Sequence, residues 1–281
     1  MRLTIGLKSP LAHGAFGGTD LGNYTKFRRM RLVNLPGMPE VPVISGNAIR
    51  GVLRRAVMTD LYAKANMNYT TFCEAMGGES TKTKAPWDKL WAALYNGGTI
   101  DTPDNHINPG ELRKIRSTLP PLSLFGSALY SIMLNGMCNI GFALPYCIET
   151  VSAKMLPETP SKFLTHANDL LIEVGLTRHI GRENADPEIT KVKPMPYEVE
   201  ALAPGTVLES QISFAPMATP LERSCLSYGI NLLSHLGGKE SVGFGKIDVL
   251  VEGADEDDTL YKEWLLSTDI FAALMEIALE L

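Results

Sequence analysis

At 281 residues, with 45% hydrophobic and 20% charged residues, the chain has the make-up of one large globular domain or two small ones. Its net charge of −5 argues against a nucleic-acid binder that works by bulk positive charge, and four scattered cysteines with no Cys-x-x-Cys argue against a zinc knuckle or a disulfide frame. No apolar run is long enough to span a membrane and no signal peptide opens the chain, so a cytoplasmic protein with no membrane partner and no cofactor is expected.

Residues 2–7 alternate as a strand does, and a glycine-rich loop with His13-Gly14 follows. Residues 27–35 mix Arg28, Arg29 and Arg31 with apolar side chains, as in an exposed strand or hairpin arm, and Leu35-Pro-Gly-Met-Pro39 is a turn. A helix is predicted from about 46 to 64, because Ile49, Val52, Leu53, Ala56, Val57 and Leu61 recur at helical spacing and Ser45 is a suitable N-cap. Residues 65–118 form an insertion with helices near 87–95 and 108–116. Leu122-Ser-Leu-Phe-Gly126 leads into an expected helix near 126–134, and 139–150 reads as a strand.

Residues 151–196 are polar and basic in the middle; Leu170–Ile180 and Ile189–Lys193 read as arms of a hairpin with its tip at 182–188. Tyr197–Leu202, a Pro204-Gly205 turn and Val207–Phe214 suggest a second hairpin. Thr219-Pro-Leu-Glu222 is a capping box that opens a helix to about 236. A loop, Gly237–Gly245, leads into a strand at 246–251. After the acidic run 255–258, the C-terminal helical segment 259–281 closes the chain. The core order is β-α-β-β-α-β, which predicts a single α+β domain with a ferredoxin-like, RNA-recognition-motif-like antiparallel sheet. Its helices would cover one face and leave the other for a ligand.

Two loops carry the chemistry. The backbone N–H groups at the start of the helix after Ser45 suit an anion such as a phosphate, and Gly46 permits a close approach, although an ordinary capped helix fits the same residues. Arg50 and Arg54, four apart beside the buried stripe, would extend an anion track. Gly238 and Gly243 have the spacing of a phosphate loop, but Phe244 stands where that motif needs lysine, so a nucleotide-binding loop is excluded. Backbone amides with Lys239, Ser241 and Phe244 suit a sugar-phosphate strand instead, while Gly237 would also serve as a helix C-cap.

Val43-Ile-Ser-Gly-Asn-Ala-Ile-Arg-Gly51 resembles the loop-to-helix motif of the RAMP superfamily of CRISPR-associated proteins, and Gly237–Lys246 resembles that superfamily's C-terminal glycine-rich loop. Leu124-Phe-Gly126 and His13-Gly14 fall at matching places; the insertion 65–118 and the final helix lie outside the resemblance. The length and the polar hairpin look most like a type IV or type III backbone subunit. Such subunits line a guide RNA in several copies and press a thumb hairpin onto it. The resemblance implies that the chain binds guide RNA, copies of itself, other effector subunits and a target DNA or RNA. RNA-cleaving type III backbones carry an aspartate before the motif helix. Residues 26–33 hold no acid, and in an ungapped alignment Met30 stands at the matching place; a gap would bring in Asp20, the nearest acid, but the arginines there favour a binding arm over a cleaving loop.

The expected RNA-binding set is Ser45, Gly46, Asn47, Arg50 and Arg54 from the helix start, and Gly237, Gly238, Lys239, Ser241 and Phe244 from the glycine loop. Arg28, Arg29, Arg178 and Arg182 would reach the strand from two arms, with His13 beside them. Two other readings compete. One is an endoribonuclease with His13 as general acid or base. The other is a protein-interaction module whose Leu274, Ile277 and Leu281 would dock onto a partner, although packing onto the protein's own body is the commoner outcome for such a face.

Overall fold

The computed structural model describes residues 1–15, 24–77, 80–100, 109–130, 132–157, 164–178, 195–253 and 257–280. The first strand, β1 (Arg2–Leu7), is followed by the short β2 (Tyr24–Thr25) and by the hairpin β3 (Arg29–Arg31) and β4 (Glu40–Pro42). Helix α1 (Gly46–Lys64) comes next, then α2 (Tyr69–Ala75), α3 (Ser80–Trp91), a π-helical turn at Ala92–Asn96 and β5 (Gly98–Ile100). Helices α4 (Pro109–Thr118) and α5 (Pro120–Phe125) lead to β6 (Ser127–Tyr130), β7 (Ile132–Leu134), β8 (Cys138–Ile140) and β9 (Leu144–Pro145). After α6 (Ile148–Ser152) come β10 (Leu171–Arg178), β11 (Met195–Leu202) and β12 (Val207–Phe214). Helix α7 (Pro220–Asn231), β13 (Ile247–Glu252), α8 (Thr259–Ser267) and α9 (Ile270–Glu280) complete the order.

The main sheet runs β13-β1-β12-β8, antiparallel throughout, with β9 also on β12. Alternation in β1 decides its faces. Leu3, Ile5 and Leu7 are buried and share one core with Ile49, Leu53 and Val57 of α1 and Leu226 and Ile230 of α7. The register puts Arg2 between Gln211 and Glu252, and Thr4 between Glu209 and Leu250, on the opposite face. On that face Arg2 is ion-paired with Glu209 and Glu252, and Lys8 with Asp248, so its cations are already engaged within the protein.

Several expected elements form. Ser45 caps α1, Thr219 and Glu222 close the capping box of α7, and Gly37 turns the β3–β4 hairpin with φ +76°. Others are corrected. Ser127–Tyr130 and Ile132–Leu134 are strands where the sequence predicts a helix near 126–134, because β6 pairs with β5 and β7, and buried Ser127 donates to the Ala93 carbonyl. Tertiary pairing overrides the weak helical preference of those small residues. Residues 139–150 break into β8, β9 and α6. Pro204-Gly205 does turn, but it hands the chain from one sheet to another: β11 pairs with β10 and β2, while β12 pairs with β1. The second arm of the basic hairpin is therefore β11, and residues 189–193 lie outside the described residues. The C-terminal segment holds two helices, α8 and α9, and Leu274 and Ile277 are buried in the protein's own core rather than offered to a partner. Leu281 lies outside the described residues.

Candidate nucleic-acid interface

Residues 10–15 are where the two loops meet. Arg28 donates its N–H to the His13 carbonyl (2.8 Å), Gly238 to the Ala12 carbonyl (2.9 Å) and Gly245 to the Pro10 carbonyl (2.8 Å). Ser45 donates its N–H to His13 Nε2 at 3.3 Å. One short segment thus joins the arginine arm, the start of α1 and the glycine loop, and brings Ser45, Asn47, His13, Arg28, Gly238 and Lys239 into one neighbourhood.

The start of α1 is more occupied than its sequence suggests. Ser45 Oγ accepts the Ala48 N–H (3.3 Å) and the Ser45 N–H is taken by His13. A Cβ on Gly46 would stand 1.9 Å from the Ile140 carbonyl oxygen, so this glycine admits the protein's own strand rather than a ligand. Asn47 is exposed.

In the glycine loop, Gly237 (φ +85°) and Lys239 (φ +68°) are both left-handed. A Cβ at Gly237 would meet the Ala12 carbonyl oxygen at 2.5 Å, and α7 has already ended at Asn231, so Gly237 seats the loop on residue 12 and is not the helix cap. A left-handed conformation at a non-glycine residue is costly and is informative where it persists. Here it holds the Lys239 ammonium 4.3 Å from the centroid of the Tyr197 ring. Ser241 and Gly238 are exposed. Phe244 is only 4% exposed and packs with Ala12, Val199 and Ala201, so the expectation that it lines a groove is corrected.

The arginines divide by what they already hold. Arg28 is half-buried, with its guanidinium 5.8 Å from the Phe142 ring centroid. Arg29 is exposed and ion-paired with buried Glu200, which also accepts the Phe27 N–H at 2.7 Å. Arg50 donates to the Cys138 carbonyl (3.1 Å), so it braces β8. Arg54 is corrected. It is buried and donates to the Phe125 and Gly126 carbonyls, both at 2.8 Å, and burial, helped by Arg50, pushes its pKa down to about 10. Arg178 ends β10, with nothing described of its side chain, and Arg182 lies outside the described residues.

Sequence reasoning missed Phe142 and Tyr197. Phe142 is 45% exposed on the 141–143 turn, directly beside the start of α1, because Ile44 and Ala143 exchange two backbone hydrogen bonds (3.1 and 2.9 Å). Each missed ring sits against a basic side chain that the sequence did single out, but no local spacing announces such a pair.

Burial, with the Arg28 charge second, lowers the His13 pKa from its ordinary value of 6.5. Folding therefore favours neutral His13, which suits Nε2 as acceptor for Ser45. The unfolded chain binds more protons below 6.5, so this contribution is present above that pH and is lost as pH falls toward the folded value. Between pH 7.5 and 5.5 the wild type is expected to lose more stability in urea melts than His13→Gln, whose amide oxygen accepts the same N–H without titrating. Parallel losses in the two proteins would refute this role.

Among the described residues, no group of three or more His, Cys, Asp and Glu is placed to hold a metal, and no helix is long and apolar enough to cross a membrane.

No protein-family model matches the sequence, and no curated protein matches it. The fold, however, is shared with a solved chain of a CRISPR complex. A chain described as "Type IV-B CRISPR Complex" is similar over 95% of this chain and 98% of its own, with a TM-score of 0.58 at 18% identity. Csc2 of Thermofilum pendens aligns over 99% of this chain and 84% of its own, with a TM-score of 0.42 at 17% identity. A chain of a Type III-B Cmr-beta complex bound to cognate target RNA aligns over 89% and 59%, with a TM-score of 0.38 at 15% identity.

Proposed function

We propose that this chain is a non-catalytic, guide-RNA-binding backbone subunit of a type IV-like CRISPR interference complex of the RAMP superfamily. The observation that carries the reading is the convergence of the α1 start and the glycine loop on residues 10–13, with a cation–ring pair on each side: Arg28 with Phe142, and Lys239 with Tyr197. Cations with flat rings suit a single strand, whose phosphates take the charge and whose bases take the rings. The fold shared over nearly the full length of both chains with a Type IV-B complex chain supports the assignment. So does the strand order of the main sheet, which we read as ferredoxin-like.

Copies of the chain would line up along the spacer in the cytoplasm, beside other effector subunits, and present the guide for pairing with a target nucleic acid. Sequence choice is then left to base pairing. His13 spends Nε2 on the Ser45 N–H, which favours binding over proton transfer. The test is a salt titration of binding to unrelated single-stranded RNAs. Affinity should fall log-linearly with salt, by about 0.7 in slope per phosphate contacted, and be nearly equal between sequences. Salt-independent binding, or shortening of the RNA to a defined product, would contradict the reading.

A further inference from the structure

We propose that Phe142 is a stacking platform for one unpaired nucleobase of the bound strand, with Arg28 beside it taking a phosphate. The proposal rests on the guide-RNA reading above and adds to it a residue and a contact chemistry. Phe142 is a large ring left 45% exposed. Among the described residues, the other exposed large aromatic side chains, Tyr69 and Trp91, belong to an aromatic cluster in which Trp91 stacks on Tyr95 with centroids 3.9 Å apart. Among the described residues, no ring packs on Phe142.

Its backbone is fixed on both sides. The Ile44–Ala143 exchange holds the turn to the residue before Ser45, and bare Gly46 lets the Ile140 and Gly141 carbonyls press on the helix start. A rigid, exposed ring is thereby presented next to a helix N-terminus, where partial positive charge favours an anion. The Arg28 guanidinium, 5.8 Å from the ring centroid, lies within cation–π range and adds a second attraction for phosphate. Base on ring and phosphate on arginine is how sequence-tolerant single-strand binders are built. The ring expected for that work, Phe244, is buried in a separate cluster and cannot do it.

The experiment uses single-stranded RNAs carrying 2-aminopurine at successive positions, with the full-length protein and Phe142→Ala, Phe142→Trp and Arg28→Ala. Stacking should quench the probe at one position per bound footprint in the wild type and Phe142→Trp, and not in Phe142→Ala. Phe142→Ala should weaken binding about tenfold with an unchanged salt slope, because the ring touches no phosphate. Arg28→Ala should lower the slope by about 0.7. If Phe142→Ala is hard to purify, Phe142→Leu makes the same comparison, since it keeps apolar bulk and loses the flat face.

RNA binding with no effect of Phe142→Ala on affinity or quenching would overturn the proposal and leave the guide-RNA reading standing. Failure of the wild type to bind any RNA would overturn both. Loss of copy-to-copy association with quenching intact would make Phe142 a protein contact and also overturn the proposal.

Discussion

Arg54→Ala is expected to cost about 3 kcal/mol of stability, because it leaves the Phe125 and Gly126 carbonyls without their donor, and an unpaired buried acceptor costs about 1–3 kcal/mol. A cavity beneath Gly97 adds to this: a Cβ on Gly97 would stand 2.2 Å from Arg54 Nη1, so the guanidinium fills that space closely. The lysine substitution should recover only part of the loss: Nη2 alone donates to both carbonyls, and an ammonium placed there would leave the space that Nη1 fills beneath Gly97 empty. Chemical denaturation reads the effect as a lower midpoint with an unchanged slope. The salt slope of RNA binding by the folded variant should stay at the wild-type value. Exposed Arg55→Ala, one residue on, is the control and should leave the midpoint in place. A drop in salt slope with no loss of stability would return Arg54 to the phosphate track.

Gly46→Ala is expected to be nearly as severe, for a different reason. Helix propensity alone would favour alanine over glycine by about 1 kcal/mol. Against that, the new methyl would lie 1.9 Å from the Ile140 carbonyl oxygen, 2.7 Å from its carbon and 2.9 Å from the Gly141 oxygen. All three are backbone atoms in a turn tied to β12 and to Ile44, so no side chain can swing aside. Overpacking of this kind costs about 1–3 kcal/mol or more, and the clash outweighs the propensity. The same displacement would move Phe142 away from the helix start. Loss of stability and loss of RNA affinity should therefore appear together, whereas Asn47→Ala at the neighbouring exposed position should spare stability. A Gly46→Ala protein as stable as wild type would mean that the 140–142 turn yields more easily than its hydrogen bonds indicate.

The parts legible in the sequence are those fixed by local chemistry. Ser45 and Thr219 announce their helices because a cap needs only its own next three residues. The β3–β4 hairpin is readable from Gly37 and its flanking prolines. The parts that misled depend on distant partners. Residues 197–202 look like half of a hairpin across Pro204-Gly205, but their antiparallel partner is β10, which precedes them in the chain rather than following the turn. Arg50 and Arg54 flank an apolar stripe, and periodicity does not say how wide a strip of α1 the neighbouring elements cover; β8 and α5 reach over both. Phe142 and Phe244 both sit in glycine-flanked turns, and only the packing of Val199 and Ala201 on one of them decides which ring is buried. Arg29 is ion-paired with Glu200, far along the chain, a partner that no local spacing announces.

The most direct measurement is the ratio of absorbance at 260 and 280 nm across a sizing column, after expression with and without a guide RNA. The guide-RNA backbone reading predicts a large, RNA-rich peak that appears only with the guide and holds several copies of the chain per RNA. A nucleic-acid-free monomer in both preparations would contradict it.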